Sequence, residues 1–124
     1  MKRDMDLIRS VLQRVEAADR SLSLPDLEFE GKTVNEVGYH VELLVHQGFI
    51  DGSIKRAWGG DCVAIHVAGL TWDGADFLEA TGNNEVWSRA KTAIKTSVGT
   101  TTLSVVKSVC ETVASSLIKS SLGI

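Results

Sequence analysis

Apolar positions in residues 4–18 fall on one helical face: Leu7, Ile8, Val11, Leu12 and Val15, with Arg9, Gln13, Arg14 and Glu16 on the other side. Residues 19–32 break the period. The single proline, Pro25, stands there, and Leu24, Leu27 and Phe29 alternate with Ser, Asp and Glu up to Gly31, which predicts a turn or short extended piece. A second helix begins at Thr33. Thr33 and Glu36 have the spacing of a capping box, Val37, Val41, Leu44 and Val45 follow at helical spacing, and Gly48 suits the left-handed stop with Phe49 and Ile50 folding back. Residues 49–57 and 62–68 read as strands. Trp58-Gly59-Gly60-Asp61 joins them as a hairpin turn.

Thr71 caps a helix at residues 72–80 that stops at Thr81-Gly82. Asn83 or Asn84 caps another, with Val86, Trp87, Ala90, Ala93 and Ile94 on its apolar side. Gly99 interrupts, and a last helix is expected over 101–121. Leu103, Val106, Val109, Cys110, Val113 and Leu117 recur in it at nearly the 3.5 spacing of a packing seam, opposite a face of Ser and Thr. The order helix, turn, helix, β-hairpin, helices defines the expected fold: α+β, a winged helix-turn-helix with a β-hairpin wing and appended C-terminal helices. Residues 1–82 form the winged-helix part and 83–124 a helical extension of the same structural unit. The last helix closes the domain or forms a homodimer seam; docking into a partner's groove is the alternative. It has too few basic and bulky apolar residues for a membrane surface.

Length and composition change this picture little. The chain has 124 residues, 44% hydrophobic and 23% charged, as for one ordinary globular domain. Charge changes it more. The net charge is −3, but residues 1–85 carry eight Lys/Arg against fifteen Asp/Glu, and residues 86–124 carry five against one. An acidic body is a poor footprint for a duplex binder, whose favourable term is phosphate neutralisation. Cys62 and Cys110 stand alone without a CxxC partner, as expected of reduced cytosolic thiols. The first residues lack the apolar core of a secretory signal, and no apolar run is long enough to span a bilayer, so a cytoplasmic protein without membrane contact is expected.

Candidate chemistry is sparse. His40 and His46 lie on different helix faces, and Cys62 and His66 stand about 13 Å apart along a strand, so no metal or other cofactor is expected. Asp73 and Asp76 suit a helix first turn, and neither a GxSxG elbow nor a phosphate loop is present, so no enzyme is expected. Lys55 and Arg56 on the wing are the best phosphate contacts. Trp58 at its tip is a hot-spot candidate for protein or DNA, whereas Trp72 and Trp87 are expected in the core.

The opening MKRDMDLIRSVL and the segments VGYHVELLVHQGFIDG, LTWDGADFLEA and VWSRAK resemble an uncharacterised family of small bacterial and prophage proteins, family 2513 of the domains of unknown function. The likeness covers nearly the whole chain and is weakest in the tail. It implies a winged-helix-like fold and a role in phage biology or host conflict, with no activity attached. VGYHVELLVHQGFI also resembles, more distantly, the recognition helix of winged-helix repressors of the arsenic-sensor type. That likeness places Gly38, Tyr39, Glu42 and His46 toward the major groove, with Asn35 in the same reading segment. Glu42 stands where such repressors often have Arg or Lys, and a carboxylate there repels phosphate. Two functions follow. One is a DNA-binding regulator of phage or prophage origin using Asn35, Tyr39, Glu42, His46, Lys55, Arg56 and Trp58 on double-stranded DNA. The other is a protein-interaction module, such as a phage-encoded inhibitor of a host or defence protein, using an acidic surface.

Overall fold

The computed structural model describes residues 1–97 and 102–123. It is an α+β protein of five helices and a three-stranded antiparallel sheet among those residues: α1 (Met5–Ala17), β1 (Leu22–Ser23), a 3-10 turn (Leu24–Asp26), α2 (Val34–Gln47), β2 (Ile50–Arg56), β3 (Cys62–Leu70), α3 (Trp72–Thr81), α4 (Asn84–Ser97) and α5 (Leu103–Leu122). The expected break at Gly99 and the expected start at Thr101 lie outside the described residues. The chain divides into two compact units, Met1–Asp76 and Phe77–Ile124.

In the first unit, β3 is the central strand, in the order β1-β3-β2. Leu22 pairs with Val67, and Ile50 with Leu70. The inward side chains Cys62, Ile65 and Val67 meet Val37, Val41 and Leu44 of α2 and Leu7, Ile8, Val11, Leu12 and Val15 of α1 in one buried core. Arg9, expected on the solvent side of α1, is also buried.

Local signals set the element ends. Asp4 caps α1 by accepting from the Leu7 amide at 3.1 Å. Thr33 caps α2 through the Glu36 amide, also at 3.1 Å, but the Glu36 carboxylate lies 4.0 Å from the Lys32 ammonium instead of completing a capping box. The reciprocal box forms at Ser23 and Asp26, ahead of the 3-10 turn. Gly48 ends α2 at φ +81°, where its amide and that of Phe49 satisfy the last carbonyls. Thr71 then joins two elements. Its hydroxyl donates to the Gly48 carbonyl and accepts from the Gly74 amide at the start of α3.

Gly38 is the tightest point between α2 and the sheet. It is buried, and a Cβ placed on it would stand 2.8 Å from both Cβ and Sγ of Cys62. The repressor likeness placed Gly38 toward a DNA groove. It faces β3 instead, because α2 must lie almost on that strand. His40 is buried as well. Its Nδ1–H donates to the Glu36 carbonyl at 2.7 Å, and its Nε2 accepts the Asp4 amide at 2.8 Å. A carbonyl can only accept and an amide can only donate, so the two bonds select this neutral tautomer. Beside it, Lys32 reaches the Asp4 carboxylate at 2.7 Å, which holds the Asp4 carboxyl below its ordinary range.

In the second unit α4 and α5 pack together. Val86, Trp87, Ala90 and Ile94 are buried, as are Leu103, Val106 and Cys110. Asn83 caps α4 at the Val86 amide (3.0 Å), and Thr102 caps α5 at the Val105 amide (3.2 Å).

Two predictions follow from these contacts. Gly38→Ala gains about 1 kcal/mol of helix propensity but is expected to lose about 1–3 kcal/mol net through overpacking on Cys62, read as a lower urea midpoint with unchanged slope. Asp4→Asn keeps the cap and removes the ion pair. The folded state holds the Asp4 carboxyl below its ordinary value of 3.8, so the pair's stabilisation is full above that pH and fades as pH falls through the lower folded value. Asp4→Asn should be less stable than the parent by up to about 1 kcal/mol at pH 7, with the two denaturation curves converging as the pH falls below the ordinary carboxyl value of 3.8.

Candidate functional site

The surface where α2 meets the β2–β3 hairpin carries most of the residues expected to contact a partner. Asn35 in the first turn of α2 uses both ends of its amide: Nδ2 donates to the Asp61 carboxylate at 3.0 Å, and Oδ1 accepts the Cys62 amide at 2.9 Å. This side chain stitches helix to hairpin and is not free to read a base.

Arg56 ends β2, and its guanidinium grips Glu42 of α2. Nε and Nη2 both donate to one carboxylate oxygen, at 3.0 and 2.9 Å, while Nη1 donates to the Gly60 carbonyl at 2.9 Å. Glu42, expected as a lone repulsive carboxylate, and Arg56, expected as an open cation, face each other. They neutralise each other instead, since β2 packs on α2 and brings the two side chains together. Charge-assisted bonds of this kind are stronger than neutral ones, although both side chains remain 36% exposed and partly screened.

The turn itself is short and internally bonded. The Ala57 amide donates to the Asp61 carbonyl at 2.8 Å, and the Gly60 amide to the Ala57 carbonyl at 2.9 Å. Of the two glycines, only Gly60 takes positive φ (+89°). Trp58 stands on this braced turn with its full surface in solvent, at 108% relative exposure. Lys55 is exposed nearby, across the ladder from Ala64. His46 is exposed in the last turn of α2. Tyr39 is half-buried, edge-on to the His40 ring at 5.2 Å between centroids.

The tryptophans therefore divide differently from expectation. Trp87 is buried as anticipated, with the Lys91 ammonium 5.9 Å from its ring centroid. Trp72, expected in the core, is 80% exposed. It is the first residue of α3, and the core positions of that helix fall at Phe77 and Leu78. Along α5, Leu103, Val106 and Cys110 are buried within the chain, Val109, Val113 and Leu117 are half-buried, and Ile118 and Leu122 are exposed. The N-terminal half of the expected dimer seam is thus covered inside the chain itself.

Sequence reasoning missed Asp61 as the acceptor for Asn35. It also missed a mixed groove between the 3-10 turn and α2, walled by Leu24, Pro25, Phe29 and Val34 over buried Leu27 and Val37 and lined as well by Glu28, Lys32 and Thr33, with a volume of about 500 Å³. The signal for the groove was the alternation of Leu24, Leu27 and Phe29 around Pro25. Among the described residues no group of three or more His, Cys, Asp or Glu could hold a metal, and no helix is long and apolar enough to cross a membrane.

Comparison with known proteins gives the chain a family. The model of the family described as "Hypothetical protein (DUF2513)" matches residues 2–101, and the chain belongs to that family. It is also similar to an uncharacterized protein of Haemophilus influenzae, 33% identical over 120 residues, which cover 95% of this chain and 99% of that one. No solved structure matches it.

The stitching of α2 to the hairpin is measurable. Asn35→Ala leaves the Cys62 amide without its acceptor and should cost about 1–3 kcal/mol. A double-mutant cycle of Glu42→Gln and Arg56→Gln should return a favourable coupling of up to about 1 kcal/mol in denaturant unfolding, reduced in high salt.

Proposed function

We propose that this member of the DUF2513 family is a protein-interaction module on a winged helix-turn-helix scaffold, with Trp58 as the anchor of its docking surface. The element order helix, strand, turn, helix, hairpin and the sheet order β1-β3-β2 agree with such a scaffold. One observation carries the functional reading: a wholly exposed Trp stands on a turn braced by Asn35, Arg56 and two backbone bonds. Burying an exposed Trp is worth much to a protein interface, and holding it on a rigid turn lowers the ordering cost of docking. The surrounding charge fits protein better than phosphate. Arg56 is neutralised by Glu42, and residues 1–76 carry eight Lys/Arg against thirteen Asp/Glu, a net −5.

A second reading, a DNA-binding regulator, is favoured by the scaffold and by exposed Lys55. It requires Arg56 to exchange Glu42 for a phosphate. The two readings separate in one experiment. A photo-crosslinking amino acid at position 58 of the full chain, irradiated in bacterial cells, should give a discrete protein adduct, while fluorescence anisotropy with labelled duplex at low salt shows no micromolar binding. Nucleic-acid adducts together with micromolar, salt-sensitive duplex binding that strengthens in Glu42→Gln would establish the regulator and discard the interaction module.

A further inference from the structure

The first unit carries two features of matching chemistry. One is the Trp58 knob on its braced turn. The other is the groove between the 3-10 turn and α2, about 500 Å³ in volume, whose lining joins Leu24, Pro25, Phe29 and Val34 to polar Lys32 and Thr33; a site of that size can take an indole, whose ring is apolar and whose N–H is a donor. Val34 on its wall is 49% exposed. The groove and the knob lie at the same end of the unit: Val34 precedes Asn35, which bonds Asp61, and the Asp61 carbonyl closes the turn that carries Trp58.

Charge matches as well. Lys32 of the groove lining is tied to Asp4, which leaves Glu28 on that lining and Lys55 near the knob. Both are exposed, and neither has an ion-pair partner among the described residues.

We infer that the protein docked on Trp58 is a second copy of this chain, with each Trp58 seated in the partner's groove. This rests on the reading of Trp58 as a protein anchor. Both halves of the contact are present on one chain, so no foreign partner is needed to supply the slot. Their adjacency lets a two-fold axis relate them, so each copy gives a knob and receives one, and the assembly closes as a dimer. A knob distant from its groove would instead run on into open chains.

Sedimentation equilibrium of the full chain tests it. The parent should form a reversible dimer. Trp58→Ala removes the knob, and Val34→Asp puts a charge in the groove at a first-turn position where an acid suits the helix. Each should raise the dimer dissociation constant at least about 30-fold, with unchanged circular dichroism. Mixing the two variants leaves one intact knob and one intact groove, so a heterodimer should form that is tighter than either variant's homodimer. A monomeric parent, a Trp58→Ala variant that dimerises like the parent, or a mixture without gain would each overturn the dimer. The cross-linker at position 58 separates the two levels. An adduct between copies that maps to residues 24–37 supports the dimer. An adduct with a different protein leaves the interaction reading standing and removes the dimer, and an adduct with nucleic acid alone removes both.

Discussion

Everything in the first unit depends on how closely α2 lies on β3. Gly38 opposes Cys62 with no room for a methyl group, and that approach sets the height of the helix over the sheet. At that height Asn35 can reach the turn and the Cys62 amide at once, and Glu42 falls within reach of Arg56. A larger residue at position 38 would lift the helix away from all of these partners together. The polar contacts at the surface are consequences of apolar packing beneath it, as expected when non-directional burial supplies most of the stabilisation and hydrogen bonds select among compact arrangements.

That dependence changes what the charges mean. Taken singly, Glu42 and Arg56 describe a surface that repels and attracts phosphate at different points. Taken as a pair, they describe a neutral brace, and Asn35 with Asp61 makes another. Two large rings stand exposed on the same unit: Trp58 at the tip and Trp72 at the start of α3. Around Trp58, the Asn35–Asp61 and Glu42–Arg56 contacts are satisfied within the chain while the indole is left in solvent.

Much of this could be read along the chain, and the part that could not has a common cause. Helix starts at Thr33, Thr71 and Asn83, the stop at Gly48 and the turn at Gly60 depend on neighbours within a few residues, so local chemistry is enough to find them. The period of α2 likewise placed Val37, Val41 and Leu44 in the core. The failures lie between elements. The Glu42–Arg56 pair depends on the rotation of α2 over β2, and the His40–Asp4 bond spans 36 positions. Trp72 was assigned to the core for its size, although its helix turns other residues inward. Gly38 was the informative clue: a glycine inside a helix costs stability, and close packing is the usual compensation.

The central place of β3 has a consequence for how the chain is made. β1 finds its partner only when residues 66 and 67 exist, and Cys62, which fixes the height of α2, comes nearly as late. Until Cys62–Leu70 has left the ribosome, the apolar faces of α1 and α2 have no sheet to cover them. At roughly 5–20 residues per second, that interval lasts on the order of seconds. The nascent protein passes through a stage in which its own core residues are its most adhesive surface, and the arrival of one nine-residue strand ends it.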